Sequence, residues 1–230
     1  MTSGLAFASA LKSLSASGPP GMAPSGPPFF GCGIVKNASL TRMEKQTHFP
    51  LHSAFLALPL EGKAKNAFQE LQGRLREFDN ILRFQNPDSP HLTLQFWKEL
   101  MEIEYYQVVP QSKKIGDASP PFTLKVEGVS TFGSRGEDRV LYLQIPFSDE
   151  LARLKKRCPW PNIEPFTPHI TLARIKHPQK FAVVKKKLMK LIEDAALDIN
   201  ADRLRLYAEI DGVKQTALQD FLFGKEPLSS

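Results

Sequence analysis

The chain has 230 residues, 42% of them apolar and 23% charged, with a formal net charge of +6. That describes a water-facing globular protein of one ordinary domain or two small lobes, and no apolar run reaches the ~18 to 20 residues of a membrane span. Two Cys, Cys32 and Cys158, exclude a disulfide framework and a Cys-rich metal site and fit a reducing compartment, so a cytoplasmic protein is expected. The basic balance, with a pI near 9.3, suits a phosphate-bearing partner without requiring one.

Residues 1 to 46 stand apart. Ser, Gly, Pro and Ala dominate ("SASGPPGMAPSGPP"), and no acidic residue precedes Glu44. Such a stretch buries too little surface to order itself. It reads as a disordered extension or as residues upstream of a true start at Met43. A targeting segment is the weaker reading, because "LAFASAL" is short for a signal core and Lys12 follows it. The folded domain is placed at residues 47 to 226.

"HSAFLALPL" (52 to 60) reads as a buried strand ended by Pro59. In the next stretch Ala64, Ala67, Phe68, Leu71, Leu75 and Phe78 recur at helical spacing, predicting a helix over 61 to 80. A strand follows at 91 to 97, then a helix at 99 to 110. "FTLKVEGVSTF" (122 to 132) and "RVLYLQIPF" (139 to 147) read as a hairpin around the turn "GSRGED". Ser148 caps a short helix over 148 to 158. A strand at 169 to 175, a helix at 178 to 197 and two final strands at 203 to 211 and 216 to 224 complete the chain. The order suggests two related α+β lobes.

Two of these strands share a grammar. "SPHLTLQFW" (89 to 97) and "TPHITLARI" (167 to 175) both run Pro, His, apolar, Thr, Leu. The chain holds only five His, and two of them occupy this frame. Residues i and i+2 of a strand share a face, so His91 stands beside Thr93, and His169 beside Thr171, about two strand rises (~6.6 Å) apart. Leu92, Leu94 and Phe96, and Ile170 and Leu172, then take the opposite, core-facing side. A lone strand His is usually structural, but the doubled frame weighs against that here. If a pseudo-two-fold relates the lobes, both His/Thr faces line one cleft.

Two imidazoles facing one cleft suit a reaction that needs a base and an acid near neutrality. Phosphodiester cleavage has that need, and each Thr hydroxyl can donate to a non-bridging phosphate oxygen. A zinc site would need a third ligand at a suitable spacing, and none is evident. No phosphate-cradling Gly-rich loop or Ser/Cys nucleophile elbow is present, and Ser130 in "GVSTFG" reads as ordinary. The residues themselves leave open which His is the acid.

P-H-L-T-L and F-T-P-H-I-T-L-A-R resemble the paired HxTx motifs of the two-histidine (2H) phosphoesterases. "FLALPL", "RVLYLQI" and "RLRLYAEI" fall where the RNA 2′,3′-cyclic phosphodiesterases, also described as 2′-5′ RNA ligases, carry corresponding strands. The resemblance covers roughly 52 to 224. It implies an α+β, bilobal fold: two pseudo-symmetric antiparallel sheets with flanking helices around a central cleft. It further implies a metal-independent enzyme without cofactor, acting as a monomer on RNA bearing a 2′,3′-cyclic phosphate end to give a 2′-phosphomonoester. By the same resemblance His91 is the proton donor, His169 the proton acceptor, and Thr93 and Thr171 bind the phosphate. Related chemistry on 2′-5′ linkages or small cyclic nucleotides, and a non-catalytic RNA-binding module, are the alternatives. Thr167 stands where many relatives have Arg, and the Ser that relatives often show after the Tyr of the last strands is missing.

Arg139 and Arg174 are further candidates for phosphate. Unbroken alternation would place Arg174 on the face opposite His169. Trp97 falls on the His91 face and, with Phe132 and Phe166, is a candidate to stack on a base, although a packing role is favoured for each. Lys185, Lys186 and Lys187 read as a solvated helix face, with an RNA-backbone contact as the lesser reading. His48, His52 and His177 receive no role.

Overall fold

The computed structural model describes residues 48–161 and 165–224. The N-terminal extension inferred from composition lies outside the described residues. In chain order the elements are β1 (Leu51–Pro59), α1 (Gly62–Arg74), a 3₁₀ turn (Arg76–Phe78), β2 (Leu82–Phe84), β3 (His91–Leu100) and α2 (Glu102–Asp117). They continue with β4 (Phe122–Lys125), β5 (Val129–Ser134), β6 (Glu137–Gln144), α3 (Asp149–Arg157) and β7 (His169–Ile175). The last are α4 (Pro178–Leu191), β8 (Asp198–Ala201), β9 (Arg203–Ile210) and β10 (Val213–Leu222).

The His strands, the buried first strand and the closing hairpin stand where the sequence puts them. Ser148 caps α3 as expected, its hydroxyl accepting from the Leu151 N–H at 3.2 Å. Three features differ. The stretch 122 to 132 is two strands, because Gly128 sits at φ 138° and breaks the extended run. The helix after the first His strand runs from Glu102 to Asp117, through Pro110, and β3 extends to Leu100. The short strands β2 and β8 carry too few residues to show a period.

The fold is α+β. A large antiparallel sheet has the order β10-β9-β1-β3-β7-β6-β5, with β2 also on β7, and β4 and β8 form a second sheet. Two hairpins turn on a pair of left-handed residues, Arg135–Gly136 (φ 55° and 77°) and Asp211–Gly212 (φ 51° and 75°). Such turns match the twist of the strands they join, and Gly takes the second position without strain. One face of the large sheet is packed: Leu56, Leu58, Leu92, Leu141, Leu143, Ile170 and Leu172 are buried there with Phe68 of α1 and Phe181 of α4.

The large sheet consists of two halves that repeat each other. On β3, the partners of Leu56, Ala57, Leu58 and Pro59 are Gln95, Thr93, Leu92 and His91. On β7, the partners of Leu141, Tyr142, Leu143 and Gln144 are Ala173, Thr171, Ile170 and His169. Both registers skip one residue, Leu94 in the first half and Leu172 in the second. The halves meet at the antiparallel pair Leu92–Ile170, which therefore marks the local two-fold.

Candidate active site

Each motif His opens its strand after a Pro that ends the preceding loop. The Nδ1 of His91 lies 2.7 Å from the carbonyl oxygen of Ser89, and the Nδ1 of His169 lies 2.8 Å from that of Thr167. A carbonyl can only accept, so each Nδ1 carries its hydrogen. Each Nε2 is then free to hold or release a proton on the open face. The antiparallel pairing at Leu92–Ile170 sets His91 next to Thr171 across the joint, and Thr93 next to His169. The two strands thus bring His91, Thr93, His169 and Thr171 to one place.

The surroundings of the two rings differ. His91 stacks on Phe55 with centroids 4.5 Å apart, and Phe55 stacks in turn on Tyr207 at 4.8 Å. Phe55, Ala57 and Tyr207 form a small buried cluster on the open face, separate from the main core. Burial against this cluster pulls the His91 pKa down to about 4, opposed by the Ser89 carbonyl and aided by the nearby His169. His91 as a whole is part-buried, and its imidazole is neutral at pH 7. His169 is met edge-on by Phe132 at 5.1 Å and Tyr142 at 5.6 Å, neither stacked face to face. Sequence reasoning missed the Phe55–Tyr207 support. The signal was the unbroken apolar run "AFLALPL", since a strand apolar on both faces is covered on both.

The skipped residues Leu94 and Leu172 reverse the alternation beyond them. Two successive side chains at such a bulge point inward, and the next points out. Leu94 and Gln95 are accordingly both buried, as are Leu172 and Ala173. Arg174 therefore lies exposed on the His169 face, contrary to the regular-strand expectation. Phe96 likewise faces the open side, 56% exposed, instead of the core. Trp97 turns the other way, packs on the core and meets Trp160 edge-on at 5.3 Å, so it is not on the His91 face.

Among the remaining candidates, Arg139 holds Glu137 in an ion pair. Phe132 is 39% exposed beside His169. Phe166 packs edge-on against Phe147 and under Lys155. Of the Lys run, Lys185 binds Asp138 at 2.9 Å and Lys187 binds Glu77 at 2.9 Å, while Lys186 is exposed. Burial pushes the Cys158 thiol up to about 11, which leaves it un-ionised and poorly nucleophilic. Among the described residues no helix is long and apolar enough to cross a membrane.

The family described as LigT-like phosphoesterase matches residues 58–142 and 145–216, which include both His strands. This chain belongs to the LigT-like phosphoesterase family. It is 31% identical over 100 residues to an RNA 2′,3′-cyclic phosphodiesterase of Aquifex aeolicus, a match covering 39% of this chain and about half (53%) of that protein. It is 24% identical over 162 residues to the RNA 2′,3′-cyclic phosphodiesterase of Thermotoga maritima, covering 67% of this chain and 84% of the relative. A crystal structure of a Thermus thermophilus protein superposes with a TM-score of 0.59 at 23% identity, covering 76% of this chain and 100% of the other. Escherichia coli LigT in apo form superposes at 0.55 and 20% identity, covering 77% and 100%. These solved structures bear out the two-histidine phosphoesterase fold that the motifs implied.

Proposed function

We propose that this LigT-like phosphoesterase hydrolyses the 2′,3′-cyclic phosphate end of RNA to a 2′-phosphomonoester. The carrying observation is the pair of imidazoles, each with Nδ1 tied to a carbonyl and Nε2 free, flanking the Leu92–Ile170 joint. The names borne by the Aquifex and Thermotoga relatives support the substrate class.

In the reaction, water attacks phosphorus and gives its proton to His169 Nε2. The bond from phosphorus to the 3′ oxygen breaks, and His91 Nε2 protonates that oxygen, leaving a 3′-hydroxyl and a 2′-phosphate. Solvent then returns the dyad to its starting state. Burial by itself holds His91 neutral at pH 7. The negative charge of a bound cyclic phosphate favours the imidazolium and loads the donor with its proton. Thr93 and Thr171 donate to the non-bridging oxygens, and Arg174 adds positive charge on the same face. Arg139 is less suited, because Glu137 already occupies its guanidinium.

The test is hydrolysis of a short RNA ending in a 2′,3′-cyclic phosphate, in chelator, by wild type, His91→Ala and His169→Ala. Phosphorus NMR identifies the product. A 2′-phosphate formed by wild type and lost in both variants is expected. No turnover, with equal RNA binding by all three proteins, would replace this reading by an RNA-binding module.

A further inference from the structure

The carbonyl that holds His91 belongs to Ser89, and Ser89 is itself held. Its hydroxyl donates to Gln215 Oε1 at 3.0 Å, a half-buried bond between residues 126 positions apart. Gln215 is on β10, which β9 and β1 separate from β3 in the sheet. The bond thus crosses the first half and ties its edge strand to the loop that presents His91. From Ser89 the line continues to the imidazole, whose Nδ1–H donates to the Ser89 carbonyl at 2.7 Å. A residue engaged through both its hydroxyl and its carbonyl is fixed in place. The ring it holds then has one orientation and one tautomer.

Gln215 keeps this place against its own backbone. Lys214 and Gln215 stand together opposite Glu209, a β-bulge, and Gln215 has φ 61°. Gly takes such a bulge position without strain, and a side chain there costs free energy. Gly would also leave the Ser89 hydroxyl without its acceptor on β10. The second half has no matching brace. Thr167 supplies the carbonyl to His169, and among the described residues no side chain from another element bonds to Thr167.

We infer that Gln215 is a positioning residue for the reaction: through Ser89 it fixes the orientation and tautomer of His91, so that Nε2 faces the leaving 3′ oxygen. This rests on the cyclic phosphodiesterase reading above, in which His91 protonates that oxygen. Gln215 acts on the substrate only through His91.

The experiment measures kcat and KM in chelator on a short RNA ending in a 2′,3′-cyclic phosphate, and on the same RNA with sulfur in place of the bridging 3′ oxygen. The proteins are wild type, Gln215→Gly, Gln215→Glu, Ser89→Ala, and Gln215→Gly combined with Ser89→Ala. Gln215→Gly and Ser89→Ala should each lose about fivefold in kcat on the oxygen substrate with KM unchanged, the size expected of one hydrogen bond. The combined variant should lose no more than either alone, because the two side chains make a single bond. Gln215→Glu should keep the wild-type kcat, since its carboxylate still accepts from Ser89. On the sulfur substrate, which needs no donated proton, every variant should match wild type. Equal loss on both substrates, additive losses, or no loss overturns the inference.

Nitrogen-15 NMR of the His91 ring at pH 7 gives a readout without substrate. Wild type should carry its hydrogen on Nδ1, and Gln215→Gly and Ser89→Ala should show a mixture of the two tautomers. Nδ1–H alone in all three proteins overturns the inference. Wild type inactive on both substrates removes the phosphodiesterase reading, and the NMR result then decides by itself whether Gln215 sets the imidazole.

Discussion

The two halves of the sheet share a frame and differ in what surrounds it. Burial along the first six residues of each His strand alternates identically, and both strands skip a residue at the same place. Yet His91 rests face-on against Phe55 with Tyr207 behind, whereas His169 is touched only at ring edges by Phe132 and Tyr142. Strand geometry fixes where each imidazole stands. The neighbours on the next strands fix how readily it takes a proton.

The largest effects test whether the halves divide the chemistry. His91→Ala and His169→Ala should each lose ~10² to 10⁴ in rate on an RNA cyclic phosphate. A substrate with sulfur in place of the bridging 3′ oxygen sharpens this, because a thiolate leaves without a proton. It should recover most of the activity of His91→Ala and none of that of His169→Ala. The opposite pattern would exchange the two roles.

Removing the rings beneath the histidines should separate the halves by stability. Phe55→Ala, at 6% exposure, should cost about 3 kcal/mol in urea denaturation, and Phe132→Ala, at 39%, less than about 1 kcal/mol. Equal losses would mean that the two imidazoles are supported alike.

A smaller effect follows from the His91 pKa near 4. Unfolding returns that ring to its ordinary value near 6.5, so between these pH values the unfolded chain binds the extra proton. The folded state therefore loses stability as pH falls from about 6.5 towards 4, by up to about 2 kcal/mol at pH 5. His91→Phe should flatten that part of the stability curve, and an unchanged curve would place the acid sensitivity elsewhere. The smallest shift is kinetic. The acid limb of kcat/KM for wild type should lie near pH 4, and Phe55→Ala should raise it towards 6 by opening His91 to water.

Both His strands were legible in the sequence because Pro, His and alternating apolar residues are local signals. The amphipathic helices were legible for the same reason. The bulges were not. Skipping Leu94 and Leu172 depends on how β1 and β6 lie alongside, and nothing in "HLTLQFW" or "HITLARI" announces it. Arg174, Phe96 and Trp97 were consequently assigned to the wrong faces. Strand β2 was overlooked because it is three residues long. The break at Gly128 was readable as a Gly within a strand pattern, but its consequence, a move to the second sheet, is set by pairing with β8.

The skipped residue also decides which kinds of genetic change the site can survive. Replacing Leu172 by another apolar residue leaves the count of residues intact, and Arg174 keeps its outlook. Deleting Leu172 removes the extra residue itself, so Ala173 follows Thr171 in regular alternation and Arg174 keeps its outlook here too. At these two positions the bulge absorbs a change of chain length, so a three-nucleotide deletion costs a buried leucine and leaves the outlook of the site residues beyond it unchanged.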